Sequence, residues 1–195
     1  MALRLLSEST TEPVTLDETK QYLRLSTSDT SEDLVLTALI KTARIDAETK
    51  TKRPYVAKTY RLTLDAFPEG GIELPYPPLS TIAGIVTVNY VNSSGATAHM
   101  NSSSIVVDAE SEPAMIFPST ADDNDWPDTN DVVNAVTIQY ETTCAPPENV
   151  KTWIKLRVSA LYENRNPVVE GRIVQELARN YIDALLDNER LPEVY

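Results

Sequence analysis

The side chains that carry most protein chemistry are scarce in this chain, and they are not spaced for it. There is one histidine, His99, and one cysteine, Cys144. Nucleophilic catalysis needs a Ser, Cys or Thr activated by a neighbouring base, usually histidine. Any Ser-His-Asp or Cys-His arrangement would therefore have to run through His99, which falls beside a predicted hairpin and reads as an ordinary surface position. A zinc centre of the Cys/His kind needs three or four such ligands, and one of each does not supply it. With five glycines and neither Gly-x-x-x-x-Gly-Lys-Ser/Thr nor Gly-x-Gly-x-x-Gly, the chain shows no phosphate-cradling loop. No cofactor is expected.

The densest group of ligand-type residues is acidic: Asp122, Asp123, Asn124, Asp125, Asp128 and Asp131. Such a cluster can bind calcium or pair two carboxylates for hydrolysis. An EF-hand register begun at Asp122 puts Trp126 at the fifth position, and one begun at Asp123 puts Pro127 there, so the ligand pattern fails. A long, solvated acidic loop over 119–131 is the simpler expectation. The thirteen aromatics do not interleave with basic residues as a single-strand binding platform would. Tyr22, Tyr60, Tyr90, Tyr140, Trp153, Tyr162 and Tyr181 fall on predicted apolar faces and read as core.

The elements that position these residues follow from periodicity. Thr15-Leu16-Asp17-Glu18 is a capping box and predicts a short helix to about Leu25. Asp29 and Glu32 are spaced as a second cap, and Leu34, Val35, Ala38, Leu39, Thr42 and Ala43 recur at helical spacing. They predict a helix over 31–51 that stops by Arg53, because Pro54 disfavours helical geometry in the residue before it. From Thr59 the period becomes two, with strands predicted at 59–64, 82–91, 105–107 and 132–140. Asn92-Ser93-Ser94-Gly95 is a good hairpin tip. After Pro146-Pro147 the helical period returns with Val150, Trp153, Ile154, Val158, Leu161 and Tyr162, where Arg157 is expected to pack its stem and reach a carboxylate or solvent. A last helix carries Ile173, Val174, Leu177, Ala178, Tyr181, Ile182, Leu185 and Leu186.

The order helices, strands, helices is that of an α+β protein. The expected architecture is a helical core, with two N-terminal and two C-terminal helices, and an inserted antiparallel β subdomain. In boundaries this gives 1–58 and 142–187 for the core, 59–141 for the insertion and 188–195 for an extended tail.

Charge supports that division. Of the formal net charge of −12, residues 59–141 carry −11, with Arg61 alone against twelve acids. Such a block repels a phosphate backbone, because nucleic-acid affinity comes largely from Lys and Arg displacing counterions. A lone thiol suits a reducing cytosol. The start, Met1 to Thr10, lacks a signal-peptide pattern, and no run of 18 apolar residues suggests a membrane span.

Along these residues the chain resembles the head-tail connector (neck adaptor) family of tailed bacteriophages, in its longer version with a β insertion. Four stretches carry the likeness. They are Val14 to Leu25 with the acidic Ser31-Glu32-Asp33; Thr59 to Pro68 leading to Ile72 to Ser80; Trp126-Pro127 upstream of Val136 to Tyr140; and Leu161 to Arg165. The strand ending at Tyr140 runs into Glu141-Thr142-Thr143-Cys144, where relatives more often turn through Gly-Tyr. The resemblance implies a non-enzymatic structural subunit of the virion neck. It would form a ring, usually of twelve copies, under the portal protein, with a stopper or tail-completion protein on its other face and DNA passing through without specific binding. The carboxy-terminal segment of such relatives commonly contacts the portal, which here maps to Leu191, Pro192, Val194 and Tyr195. Asp122, Asp123, Asp125, Asp128 and Asp131 would then be candidates to face the channel. The residues leave two other readings open: a soluble protein- or glycan-binding module using loops of the β insertion, and an acid-dependent hydrolase using the aspartate loop.

Overall fold

The computed structural model describes residues 1–80, 86–119, 125–143, 145–163 and 182–191. The chain divides into two compact units. One comprises Met1–Ser9 with Val56–Cys144, and the other Thr10–Tyr55 with Ala145–Tyr195. The fold class is α+β, with antiparallel sheets in the first unit and helices in the second.

The β unit holds eight strands among its described residues: β1 Ala2–Glu8, β2 Lys58–Leu64, β3 Ile72–Leu74, β4 Thr87–Val91, β5 Thr97–His99, β6 Ile105–Asp108, β7 Ala114–Pro118 and β8 Val136–Thr142. A five-stranded sheet runs β1-β2-β8-β4-β5 and a three-stranded sheet runs β3-β7-β6. The period of two does the sorting. Tyr60 and Leu62 point inward with Arg61 outward, and opposite them Tyr140 and Ile138 point inward with Gln139 outward. From the smaller sheet Ile72, Leu74, Ala114 and Ile116 join the same apolar core, together with Val88 and Leu79. Each fully buried aliphatic side chain there contributes roughly 1.5–3 kcal/mol. The Tyr140 hydroxyl satisfies itself by donating to the Pro75 carbonyl at 2.9 Å, and burial pushes its pKa up. The expected hairpin is present: Gly95, at φ 82°, occupies the left-handed region that its missing Cβ allows. Asn92 Oδ1 accepts from the amides of Ser94 and Ala96.

Several boundaries move. Residues 2–8, expected with the helical part, form the edge strand β1 on β2. Their alternation is hidden by a bulge, since pairing shifts register between Leu5 and Ser7. Strands β3 and β5, of three residues each, are too short for a periodic signal to identify, and β7, Ala-Met-Ile-Phe-Pro, is apolar throughout and shows no alternation. The strand expected over 132–140 begins at Val136 instead. Val132 and Val133 are exposed in a turn, which Asp65 closes by accepting from the Asn134 amide at 2.8 Å. The strand expected from Ile82 is seen from Thr87 to Val91; residues 81–85 lie outside the described set.

The helical unit contains α1 Leu16–Tyr22, α2 Asp33–Thr51 and α3 Glu148–Glu163. The capping box of α1 is formed, with the Glu18 amide donating to Thr15 Oγ1 at 3.1 Å and the Thr15 amide to Glu18 Oε2 at 2.8 Å. The second cap is not: Glu32 precedes α2 without a side-chain capping bond, because Asp29 takes the Ser31 amide instead, and the Glu32 carboxylate accepts from the Tyr162 hydroxyl. The helix ends at Lys52 in the left-handed conformation, two residues before Pro54. Val150, Trp153, Ile154 and Val158 of α3 are buried as their spacing predicts, and Arg157 reaches Asp46 at 3.0 Å. Tyr22, read as core, is instead 42% exposed at the end of α1. Most of the last expected helix, from Ile173 to Tyr181, lies outside the described residues.

The face of α2 departs from the sequence reading. Its buried residues are Leu36, Ile40, Ala43, Arg44, Ala47, Glu48 and Thr51. Of the six residues that set the predicted stripe, Leu34, Val35, Ala38 and Thr42 are exposed, Leu39 is half-buried and Ala43 is buried. Helical spacing points to the uncharged arc, whereas the buried face carries Arg44 and Glu48, which are tolerated inside because they pair with each other and with Glu12.

Candidate functional site

Three places in the described residues bring chemically capable groups together. The first is the acidic loop. Trp126 holds it: the indole lies flat on Phe67, with centroids 4.8 Å apart and planes 2° apart, and its Nε1 donates to the Gly70 carbonyl at 2.8 Å. Beyond it, Asn92 bridges to Thr129, and the Asn130 amide donates to the Val91 carbonyl. The described end of the stretch expected as a free loop, residues 125–131, is thus fastened to the sheet by a buried aromatic and a ladder extension. Asp125, Asp128 and Asp131 project from it exposed, and Asp125 Oδ1 accepts from the Trp126 amide at 2.9 Å. Asp122 and Asp123 lie outside the described residues. Among the described residues no three His, Cys, Asp or Glu side chains converge as a metal site would require.

The second is an open depression of about 350 Å³ beside that loop, lined by His99, Ser104 and Asp125 among others. The trio is the residue set of a hydrolase, but its geometry is not. His99 is exposed on β5, and its Nδ1 meets the amide oxygen of Asn89 across the β4–β5 pair at 3.0 Å. No hydrogen bond joins any two of these three described residues, and a general base must come within about 3 Å of the proton it takes.

The third is the base of the carboxy-terminal tail. Residues expected as an extended tail from Asn188 begin inside a 3₁₀ turn, Ala184–Glu189, whose Leu186 is fully buried. Polar contacts clamp this stretch to the helices. Asn149 Nδ2 donates to the Leu185 carbonyl at 2.8 Å, Trp153 Nε1 to Asp183 at 3.1 Å and Lys50 Nζ to Asp183 at 2.6 Å. Arg53 Nε donates to the Glu189 carbonyl at 2.8 Å, and the Leu191 amide to the Thr51 carbonyl at 3.2 Å. Burial works to raise the Asp183 pKa, but the bonds from Lys50 and Trp153 outweigh it and hold the carboxyl below its ordinary value. Leu191 is therefore held at the carboxy-terminal end of α2. Pro192, Val194 and Tyr195 lie outside the described residues.

Two charged groups missed by sequence reasoning set the shape of the helical unit. Lys20 is buried, with its ammonium on the carbonyls of Asp29 at 2.7 Å and Thr27 at 3.3 Å and on the Asp33 carboxylate. It ties the α1–α2 connection to the first turn of α2. Arg44 is fully buried and bridges Glu12, at 2.7 and 3.3 Å, to Glu48 at 3.0 Å. Glu48 in turn accepts from the Tyr55 amide at 2.9 Å. Burial disfavours the guanidinium charge, yet the Glu12 bond and the charges of Glu48 and Glu12 keep its pKa above the ordinary value. The Arg44–Glu48 half has the i,i+4 spacing of a helical ion pair, but nothing local signals its burial or the Glu12 half, which is 32 residues away in sequence.

No protein-family model matches the sequence, and no curated protein matches it. Solved structures do. A chain in the neck of an empty gene transfer agent particle, computed with C6 symmetry, has a TM-score of 0.73 at 18% identity, over 100% of this chain and 98% of that one. A chain in the virion of a native gene transfer agent particle gives the same values. One in the neck of a native particle, computed with C12 symmetry, has a TM-score of 0.64 at 16% identity with the same coverage. At such identities the likeness is one of fold, and it runs from one end of this chain to the other.

Proposed function

We propose that the protein is a structural, non-enzymatic subunit of the neck of a tailed phage-like particle, acting as the head-tail connector. In this reading copies form a ring, usually of twelve. The portal protein lies on one side, a stopper or tail-completion protein on the other, and DNA passes through the centre. The observation that carries it is the full-length fold likeness to chains of necks computed with C6 and C12 symmetry. Head-to-tail contact, in which one patch meets a different patch, is the geometry that closes a ring.

Within this reading the tail beyond Leu191 docks on the portal, with Leu191, Pro192, Val194 and Tyr195 as its apolar contacts. A short segment that orders on binding suits that task. The clamp on residues 182–191 would give it a fixed point of departure. The acidic residues Asp122, Asp123, Asp125, Asp128 and Asp131 line the channel, where like charge keeps DNA from adhering as it passes.

The test is electron microscopy of purified protein mixed with its portal. Rings seated coaxially on the portal are expected, and removal of residues 192–195 should weaken seating while leaving thermal unfolding unchanged. Protein that stays monomeric and ignores the portal would refute the reading.

A further inference from the structure

The outer side of α2 is built like an interior. Leu34 is 88% exposed, and Val35 and Ile45 are each 43% exposed. At 100° per residue these three, with Ala38, Thr42 and Thr49, occupy one arc about 100° wide along the helix. All six are exposed and none is charged. The threonines add no free donor: Thr42 Oγ1 donates to the Ala38 carbonyl at 2.9 Å and Thr49 Oγ1 to the Ile45 carbonyl at 2.8 Å. Each hydroxyl proton is thereby spent on its own helix, and the residue offers its methyl group. The opposite side buries Leu36, Ile40, Ala43 and Ala47 together with the Arg44–Glu48 pair. A helix whose polar network lies inside and whose outer arc is apolar reverses the usual pattern, and an apolar arc about 100° wide is the kind of helix face that packs against something.

We infer that this arc of α2 is the subunit contact within the proposed ring, packing on a different patch of a second copy of the same chain. The inference rests on the ring reading above. Charge selects the occupant. The β unit has three Lys or Arg against thirteen Asp or Glu, a net of −10, whereas the helical unit has fourteen against sixteen, a net of −2. Copies that meet through their β units therefore bring together two strongly acidic bodies, and copies that meet through their helical units two nearly neutral ones. Association of like with like is least opposed at the helices. The arc is about 23 Å long, enough for the apolar centre of a standard interface with polar residues such as Lys41 at its rim.

The experiment uses the full chain and compares wild type with Leu34→Glu/Ile45→Glu, by sedimentation and native mass spectrometry, alone and with portal. The expected result is an oligomer of the wild type, an at least tenfold weaker association of the variant, and the same Tm for both once they are diluted to the point where sedimentation shows each as a monomer. Equal assembly of the two proteins would overturn the assignment to α2 while leaving the ring reading intact. A variant monomer with a lower Tm than the wild-type monomer would mean that the arc is covered within its own chain, and would also overturn it. A wild type monomeric in every condition would remove both the ring and this interface.

Discussion

Replacing Arg44 by methionine is expected to be among the most damaging single changes in the helical unit. The methionine keeps much of the stem volume but removes the charge. Arg44 is fully buried and makes three charge-assisted bonds to two carboxylates, whose own side chains are only 17% and 9% exposed. Without it, Glu12 and Glu48 face each other across a space that water does not fill freely. Breaking a buried pair by removing one partner costs about 3–5 kcal/mol, so a loss near 4 kcal/mol is expected. At about 2–4 °C per kcal/mol for a chain of this size, Tm should fall by about 8–16 °C. The assay is urea and thermal unfolding followed by far-ultraviolet circular dichroism. The double change Arg44→Met/Glu48→Gln should recover a substantial part of the loss, because it removes one of the two stranded charges while Gln Oε1 can still accept from the Tyr55 amide. If Arg44→Met costs under about 1 kcal/mol, the network is worth no more than a surface salt bridge, and burial has not raised the cost of breaking it. If the double variant is less stable than the single, uncompensated charge is not what the substitution exposes.

Two further outcomes follow from the geometry. Trp126→Ala should cost about 3–5 kcal/mol and free the acidic loop from the sheet, read as faster amide exchange at Thr129 and Asn130; unchanged exchange would show that the indole does not fasten the loop. Asp183→Asn should destabilise the chain at neutral pH and release the 182–191 stretch to proteolysis. Because the folded pKa of Asp183 is depressed, the wild-type advantage is full above the unfolded pKa of about 3.9 and is lost as pH falls through the folded value, so the two stability curves should converge in acid. Parallel curves down to low pH would exclude that carboxylate as the source.

The sequence was most informative where local chemistry decides. The α1 capping box, the Asn92 to Gly95 turn, the end of α2 before Pro54 and the buried spacing of α3 are written in consecutive residues and need no distant partner. So is the concentration of acid between residues 59 and 141, and the lack of spaced His, Cys and Gly from which a catalytic reading would start. Tertiary structure alone decided which side of α2 turns inward, since polarity favours burying the uncharged outer arc, and only the packing of α3 and the pairing of Arg44 with Glu12 and Glu48 place the charged side inside. It also decided that Ala2–Glu8 belongs to the sheet, a pairing across fifty residues or more that a bulge conceals, and that residues 182–191 are held by Asn149, Trp153, Lys50 and Arg53. Hydrogen bonds and periodicity within one turn leave a trace in neighbouring residues; contacts made across the chain leave none, because any residue of suitable shape and charge could have supplied the other half.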